Sequence, residues 1–210
     1  MPKRQLPKTN PSRDSALTAC KDKMDATPEI NRPFSAAKGV ELTAQQPVYH
    51  GLIAASNVAK FNQTLQTGVV APLRHTARLW VSHGFQALIN ACIRGQFNKQ
   101  VKNLYGIAID STKGPDLVTE SDIEQAAVTY NDGETARIAA GGTPITFPLI
   151  DDINLQVHDL KAASLTQSTL KDAYDAAQED LAAANPAIDL LILQLWNSIE
   201  ATYDTGDKPS

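Results

Sequence analysis

The chain has 210 residues and a mass of 22.6 kDa, enough for one domain or one domain with an arm. Eleven glycines and 12 prolines exclude a collagen-like or wholly low-complexity chain, and a formal charge of −4 excludes a globally basic nucleic-acid binder. Aromatic residues make up 6 % and alanine is abundant, which favours helices packed through small side chains over a β-sandwich.

Charge is uneven along the chain. Residues 1–40 carry 8 basic and 4 acidic residues, residues 41–146 balance, and residues 147–210 carry 3 basic and 11 acidic residues. A basic start and an acidic end suggest contact within a molecule or between neighbours. The start, Met1-Pro2-Lys3-Arg4, lacks the apolar run of about 7–15 residues that a signal peptide needs. No stretch approaches the roughly 18 apolar residues of a membrane span. A cytoplasmic or particle-associated protein is expected, with export by a signal-less route left open.

Residues 1–41 read as a basic, extended arm punctuated by Pro2, Pro7, Pro11, Pro28 and Pro33. A short helix is expected in it from Ser12, as cap, to Asp25, with Leu17, Cys20 and Met24 on one face. Residues 42–204 read as a helical bundle and 205–210 as a polar tail. The first long helix is placed from Thr43 or Pro47 to Gln66. Thr43 with Gln46 fits a capping box, and Pro47 fits a first helical position. Its inner stripe is Val48, Leu52, Ala55 and Ala59, and Gly68 ends it.

The second helix runs from Val70 to Ile93, with Pro72 tolerated in its first turn. One row is Leu73, Ala77, Trp80, Gly84, Leu88 and Ala91; another is Val81, Phe85, Ile89 and Cys92. Two adjacent rows make this the most buried helix, with Trp80, Phe85 and Leu88 buried together. Gly95, Gly106, Gly114 and Pro115 then break the pattern, so residues 95–118 are expected to be an irregular packed loop holding at most a brief strand.

The third helix opens at Ser121-Asp122-Ile123-Glu124, read as a capping box, and stops at Gly141-Gly142. Ile123, Ala127, Tyr130 and Arg137 set its faces, and Gly133 costs about 1 kcal/mol against alanine. The fourth and longest helix is placed from Pro148 to Ala184. Ile153, Val157, Leu160, Ala163, Gln167 and Leu170 begin its heptad-like seam, which Tyr174, Ala177 and Leu181 continue. Asn185-Pro186 is read as a cap that starts a fifth helix to Tyr203, striped by Ile188, Ile192, Leu195 and Ile199. The fold class is all-α: an up-and-down bundle with a long fourth helix, an extended N-terminal arm and an irregular loop at 95–118.

Motifs of catalysis are sparse. His50, His75, His83 and His158 sit in no HExxH or CxxC context, so no metal site is assigned. Cys20 and Cys92 are too few for a disulfide framework, and Cys92 lies in an apolar helix as a small hydrophobe. The α-helical carboxylates lack the Glu-x-x-His pairs of a di-metal bundle. Gly141-Gly142-Thr143-Pro144 lacks the ending of a phosphate loop, and the three charges between Arg94 and Lys102 are too few for a nucleic-acid surface. No cofactor is assigned.

Ala77-Arg78-Leu79, Ser82-His83, Tyr105-Gly106, Pro115-Asp116-Leu117, Asp132-Gly133-Glu134 and Ala139-Ala140-Gly141-Gly142, with the Lys171–Glu179 stretch and the Leu190–Glu200 helix, span most of the chain. In these pieces it resembles a group of mostly helical bacterial proteins without an assigned function. The resemblance implies a fold and no activity.

The expected function is a non-enzymatic structural or self-assembling bundle, a subunit of a homo-oligomer, filament or larger particle, with itself as the main partner. Lys3, Arg4, Lys8 and Arg13 of the arm would meet Asp172, Asp175, Glu179 and Asp180, preferably on a neighbouring subunit. Exposed ion pairs contribute about 0–1 kcal/mol each, so Leu6, Leu17 and Met24 would have to add apolar burial. The alternative is a bundle that binds a small ligand or a partner beneath the 95–118 loop.

Overall fold

A computed structural model describes residues 6–203. Among these the protein is an all-α helical bundle with no strand. Its helices are α1 (Asn10–Asp25), α2 (Ala36–Ile93), α3 (Glu120–Ala139) and α4 (Ile150–Tyr203), with short 3-10 helices at Glu29–Asn31 and Lys99–Tyr105. The chain packs as two compact units, one from the residues up to Gln63 with those from Leu170 onward, the other from Thr64–Thr169.

Two expected joints are absent. Gly68 lies inside α2 and Asn185-Pro186 inside α4. A glycine stops a helix by turning left-handed. Gly95, Gly106 and Gly141 do so, whereas Gly68 keeps a negative φ. A proline within a helix removes one hydrogen bond and clashes with the carbonyl four residues back, which costs about 3 kcal/mol or more. Pro186 is exposed, as is Ala182, whose carbonyl has no N–H partner at the proline. Packing on both sides, through Leu181, Ile188 and Leu191, holds the helix across this point. Pro72 likewise lies well inside α2 rather than in a first turn.

In the first unit, Leu17 and Met24 of α1 join Leu42, Tyr49, Leu181, Ile188 and Leu195 in one core. Residues 10–25 therefore form a layer of their own bundle. The helix starts two residues before Ser12, because Thr9 is the cap. Its hydroxyl accepts from the Ser12 amide while the Ser12 hydroxyl accepts from the Thr9 amide. Arg13 forms a fork on Asp189, with Nε and Nη2 donating at 2.7 and 2.9 Å. The buried Tyr49 hydroxyl donates to Asn185 Oδ1 at 2.7 Å, so Asn185 serves as a side-chain acceptor rather than a cap.

The expected inner stripe of α2 is displaced. Tyr49 and Ser56 are buried and Leu52 half-buried, while Val48 is 59 % exposed and Ala55 is exposed. This part of α2 carries two apolar stripes at helical spacing. The one holding Tyr49 wins the core because its large ring finds both an apolar pocket and a partner for its hydroxyl.

The second unit follows the expected rows closely. Ala77, Val81, Phe85, Leu88, Ile89 and Cys92 are buried with Tyr105, Ile123, Tyr130, Ile153 and Leu160. Trp80 is only partly buried, with its ring 6.2 Å from that of Phe147. Phe85 meets Tyr130 edge-on at 5.3 Å, and Tyr105 lies 5.4 Å from the same ring. The α3 cap is Thr119, not Ser121, in a capping box closed by Asp122. Residues 95–118 hold the Lys99–Tyr105 3-10 helix and no strand. Phe85→Ala is expected to cost about 3–5 kcal/mol in a denaturant melt, through lost burial and the cavity left behind.

Candidate functional site

The segment after α2 is fixed from beneath by buried charge. Gly133 on α3 faces the ring of Tyr105, where an added Cβ would sit 2.6 Å from Cγ and 2.8 Å from the Leu104 carbonyl. Only glycine lets the 3-10 helix approach this closely. Glu134, the next residue, and Arg137, about one turn on, are each 3 % exposed. Arg137 Nη2 donates to Glu134 Oε1 at 2.7 Å and Nε to Oε2 at 3.2 Å. The Tyr105 hydroxyl donates to Oε2, and the Ile145 amide donates to Oε1 at 2.8 Å. The carboxylate thus accepts four hydrogen bonds, close to its full capacity. Arg137 also donates from Nη1 to the Thr143 carbonyl at 2.6 Å and lies 4.5 Å from the Phe97 ring centroid.

Burial by itself would raise the Glu134 pKa, but the bonds from Arg137, Tyr105 and Ile145 outweigh it and hold the group below its ordinary value. Burial and the Glu134 bond push the Tyr105 phenol well above its usual range. A second buried charge, Lys102, donates to the carbonyls of Ile109 at 3.0 Å and Ser111 at 2.7 Å. It closes residues 106–111 into a turn.

Between this turn and α3 lies an open cleft of about 550 Å³. Phe85 and Tyr105 supply its aromatic side. Asp122, Gln125, Ala126 and Thr129 supply one face of α3, and the segment from Gly106 to Asp116 supplies the opposite wall, with Lys113 on it. The wall returns to α2 at Gly114, where an added Cβ would be 3.1 Å from Phe85 Cβ. The Thr119 amide donates to Asp122 at 2.7 Å and lowers its pKa. At the start of α3, Glu120 accepts from the Ser164 hydroxyl at 2.6 Å and from Arg74, which hold it ionised.

The residues expected to meet across an interface are dispersed. Lys3 and Arg4 lie outside the described residues, and Lys8 is exposed. Arg13 is engaged by Asp189 of its own chain. Asp172, Asp175, Glu179 and Asp180 are exposed, and Asp175 is paired with Lys171 one turn back. Asp189 was not singled out in the sequence, since nothing in its neighbours marks it apart from other helix-surface carboxylates. The Tyr105–Glu134–Arg137 cluster was missed as well, although the spacing of three between Glu134 and Arg137 is the signal of a same-face pair. Among the described residues no group of three or more His, Cys, Asp or Glu could hold a metal, and no helix is long and apolar enough to cross a membrane. No family model, curated protein or solved structure matches the chain.

Glu134→Gln is expected to destabilise the second unit by about 3–5 kcal/mol in a denaturant melt, because Arg137 stays buried without its counter-charge. The pH dependence follows from the lowered pKa. Between the folded-state value and the ordinary 4.5, the unfolded chain binds more protons. This stability is complete above pH 4.5 and falls as pH drops through the folded-state value, so the variant should show a flatter acid limb than the parent.

Proposed function

We propose that the protein is a non-enzymatic structural subunit, a helical bundle that assembles with copies of itself into a homo-oligomer, filament or larger particle. The observation that supports this is the solvent-facing side of α2. In the first unit Val48, Val58 and Phe61 are 59–62 % exposed, and in the second Leu65 and Val69 are 56 and 46 % exposed. Monomers rarely leave a large contiguous apolar patch in water. The exposed Asp172, Glu179 and Asp180 offer a second, salt-sensitive contact to Lys3, Arg4 and Lys8 of a neighbour, with each pair contributing little. Light scattering across a concentration series is expected to give a multiple of 22.6 kDa, partly reduced by salt. A monomer at every concentration would sink this reading.

The cleft favours a second reading, a bundle that binds a small ligand beneath the loop. Its aromatic side and its mixed charge, Lys113 with Asp116 and Asp122, suit a small amphipathic aromatic ligand. Anilinonaphthalene sulfonate should bind the folded protein with enhanced fluorescence. Ala126→Trp, which fills the cleft, should abolish that binding, and an unchanged titration would remove the reading.

A further inference from the structure

Within the second unit, the end of α2 and the segment that leads into α4 line an open groove of about 690 Å³, separate from the cleft. Ala87 and Ala91 of α2 lie along it, Gln96 and Phe97 line it past the helix end, and residues 143–147 line its other side. Thr143 and Phe147 each precede a proline, which disfavours helical backbone and favours extended chain. The Thr143 carbonyl accepts from Arg137 and the Ile145 amide donates to Glu134, so residues 143 and 145 turn one edge to the buried pair. In extended chain, successive residues present their N–H and C=O to alternate edges. The other edge therefore carries the Pro144 carbonyl and both backbone groups of Thr146. Among the described residues none of these three groups has a hydrogen-bond partner.

The α2 side is unpartnered too. Asn90, Arg94 and Gln96 are exposed, and among the described residues their side chains make no hydrogen bond or ion pair. Arg94 is the one charged residue among those lining the groove. A cation in the last turn of a helix commonly bonds the final carbonyls. Here the carbonyls of Asn90, Ala91 and Cys92 already accept from the amides of Arg94, Gln96 and Gly95. The guanidinium is thus left over from the helix end. Phe147, 71 % exposed, and the half-buried Phe97 add aromatic surface.

We propose that this groove captures the C-terminus of another protein as an extended chain. Its backbone pairs with the Pro144–Thr146 edge, its terminal carboxylate meets Arg94, and its apolar last side chain packs on Phe97 and Phe147. The unpaired edge has the alternation that an added peptide strand satisfies. A single cation flanked by the amides of Asn90 and Gln96 suits one carboxylate. Five extended residues give a wall about 16 Å long, room for a peptide of about five residues. Gly95, at φ 72°, turns the chain so that Gln96 and Phe97 line the groove past Arg94, where a bound chain ends rather than continues. The inference depends on neither the self-assembly reading nor the cleft.

The test is fluorescence anisotropy of the full chain with fluorescein-labelled Gly-Thr-Val-Thr-Val-Phe, as the free acid and as the C-terminal amide. The acid should bind, and the amide should bind about tenfold more weakly, the cost of one charge-assisted hydrogen bond. Arg94→Gln, an exposed position, should weaken the acid to the level of the amide and leave the amide unchanged. N-methylation of the peptide at both valines and at both threonines separates the two edges of the bound chain. One form should lose binding and the other keep it, whereas equal affinities overturn strand pairing. Ala126→Trp, in the cleft, should leave the titration unchanged, and loss of binding there would place the peptide in the cleft and overturn the groove. Equal binding of acid and amide, or no binding of the acid at about 1 mM, also overturns the proposal.

Discussion

The ion pair between Glu134 and Arg137 is the contact on which the second unit is arranged. Two opposite charges removed from water lose several kcal/mol of hydration each, and the pair is tolerated only where both are fully hydrogen-bonded. Here the remaining bonds come from Tyr105, at the end of the Lys99–Tyr105 3-10 helix, and from Ile145 and Thr143 in the irregular segment between α3 and α4. Satisfying the charges and fixing the irregular chain are therefore one event. Lys102 repeats the device at smaller scale, since its ammonium donates to two backbone carbonyls of the turn it closes. The cleft above is bounded by segments that the chain itself holds in place.

The helix faces were legible where size and spacing agreed. From Val70 to Cys92 two adjacent rows of apolar residues leave one sector to bury, and the structure buries it. Earlier in α2 the spacing fits two sectors equally, and periodicity carries no sign that says which is inner. The choice fell to Tyr49, through a hydroxyl partner on α4 that lies 136 residues away in sequence. Helix ends were legible in residue type but not in position. Thr9 and Thr119 show that a capping box is read correctly only when its first member is known.

Breakers misled for a related reason. Glycine and proline report local cost, and the decision to continue a helix depends on what its flanks bury. At Pro186 the flanking leucines and isoleucines outweigh one lost hydrogen bond. The cleft could be anticipated only as a location beneath residues 95–118. Its walls depend on where Lys102 and Gly114 bring the loop back, and neither residue carries a pattern.

Gly133 has a consequence for how this chain can diverge. Any side chain there would strike Tyr105 and the Leu104 carbonyl, yet Tyr105 cannot become smaller without leaving an oxygen of Glu134 short of a donor. Loss of Glu134 would in turn strand the Arg137 guanidinium. Positions 105, 133, 134 and 137 therefore form one unit of inheritance: each single replacement meets a penalty that only a second, matching replacement relieves, so descendants of this sequence should carry the four residues together or exchange them together.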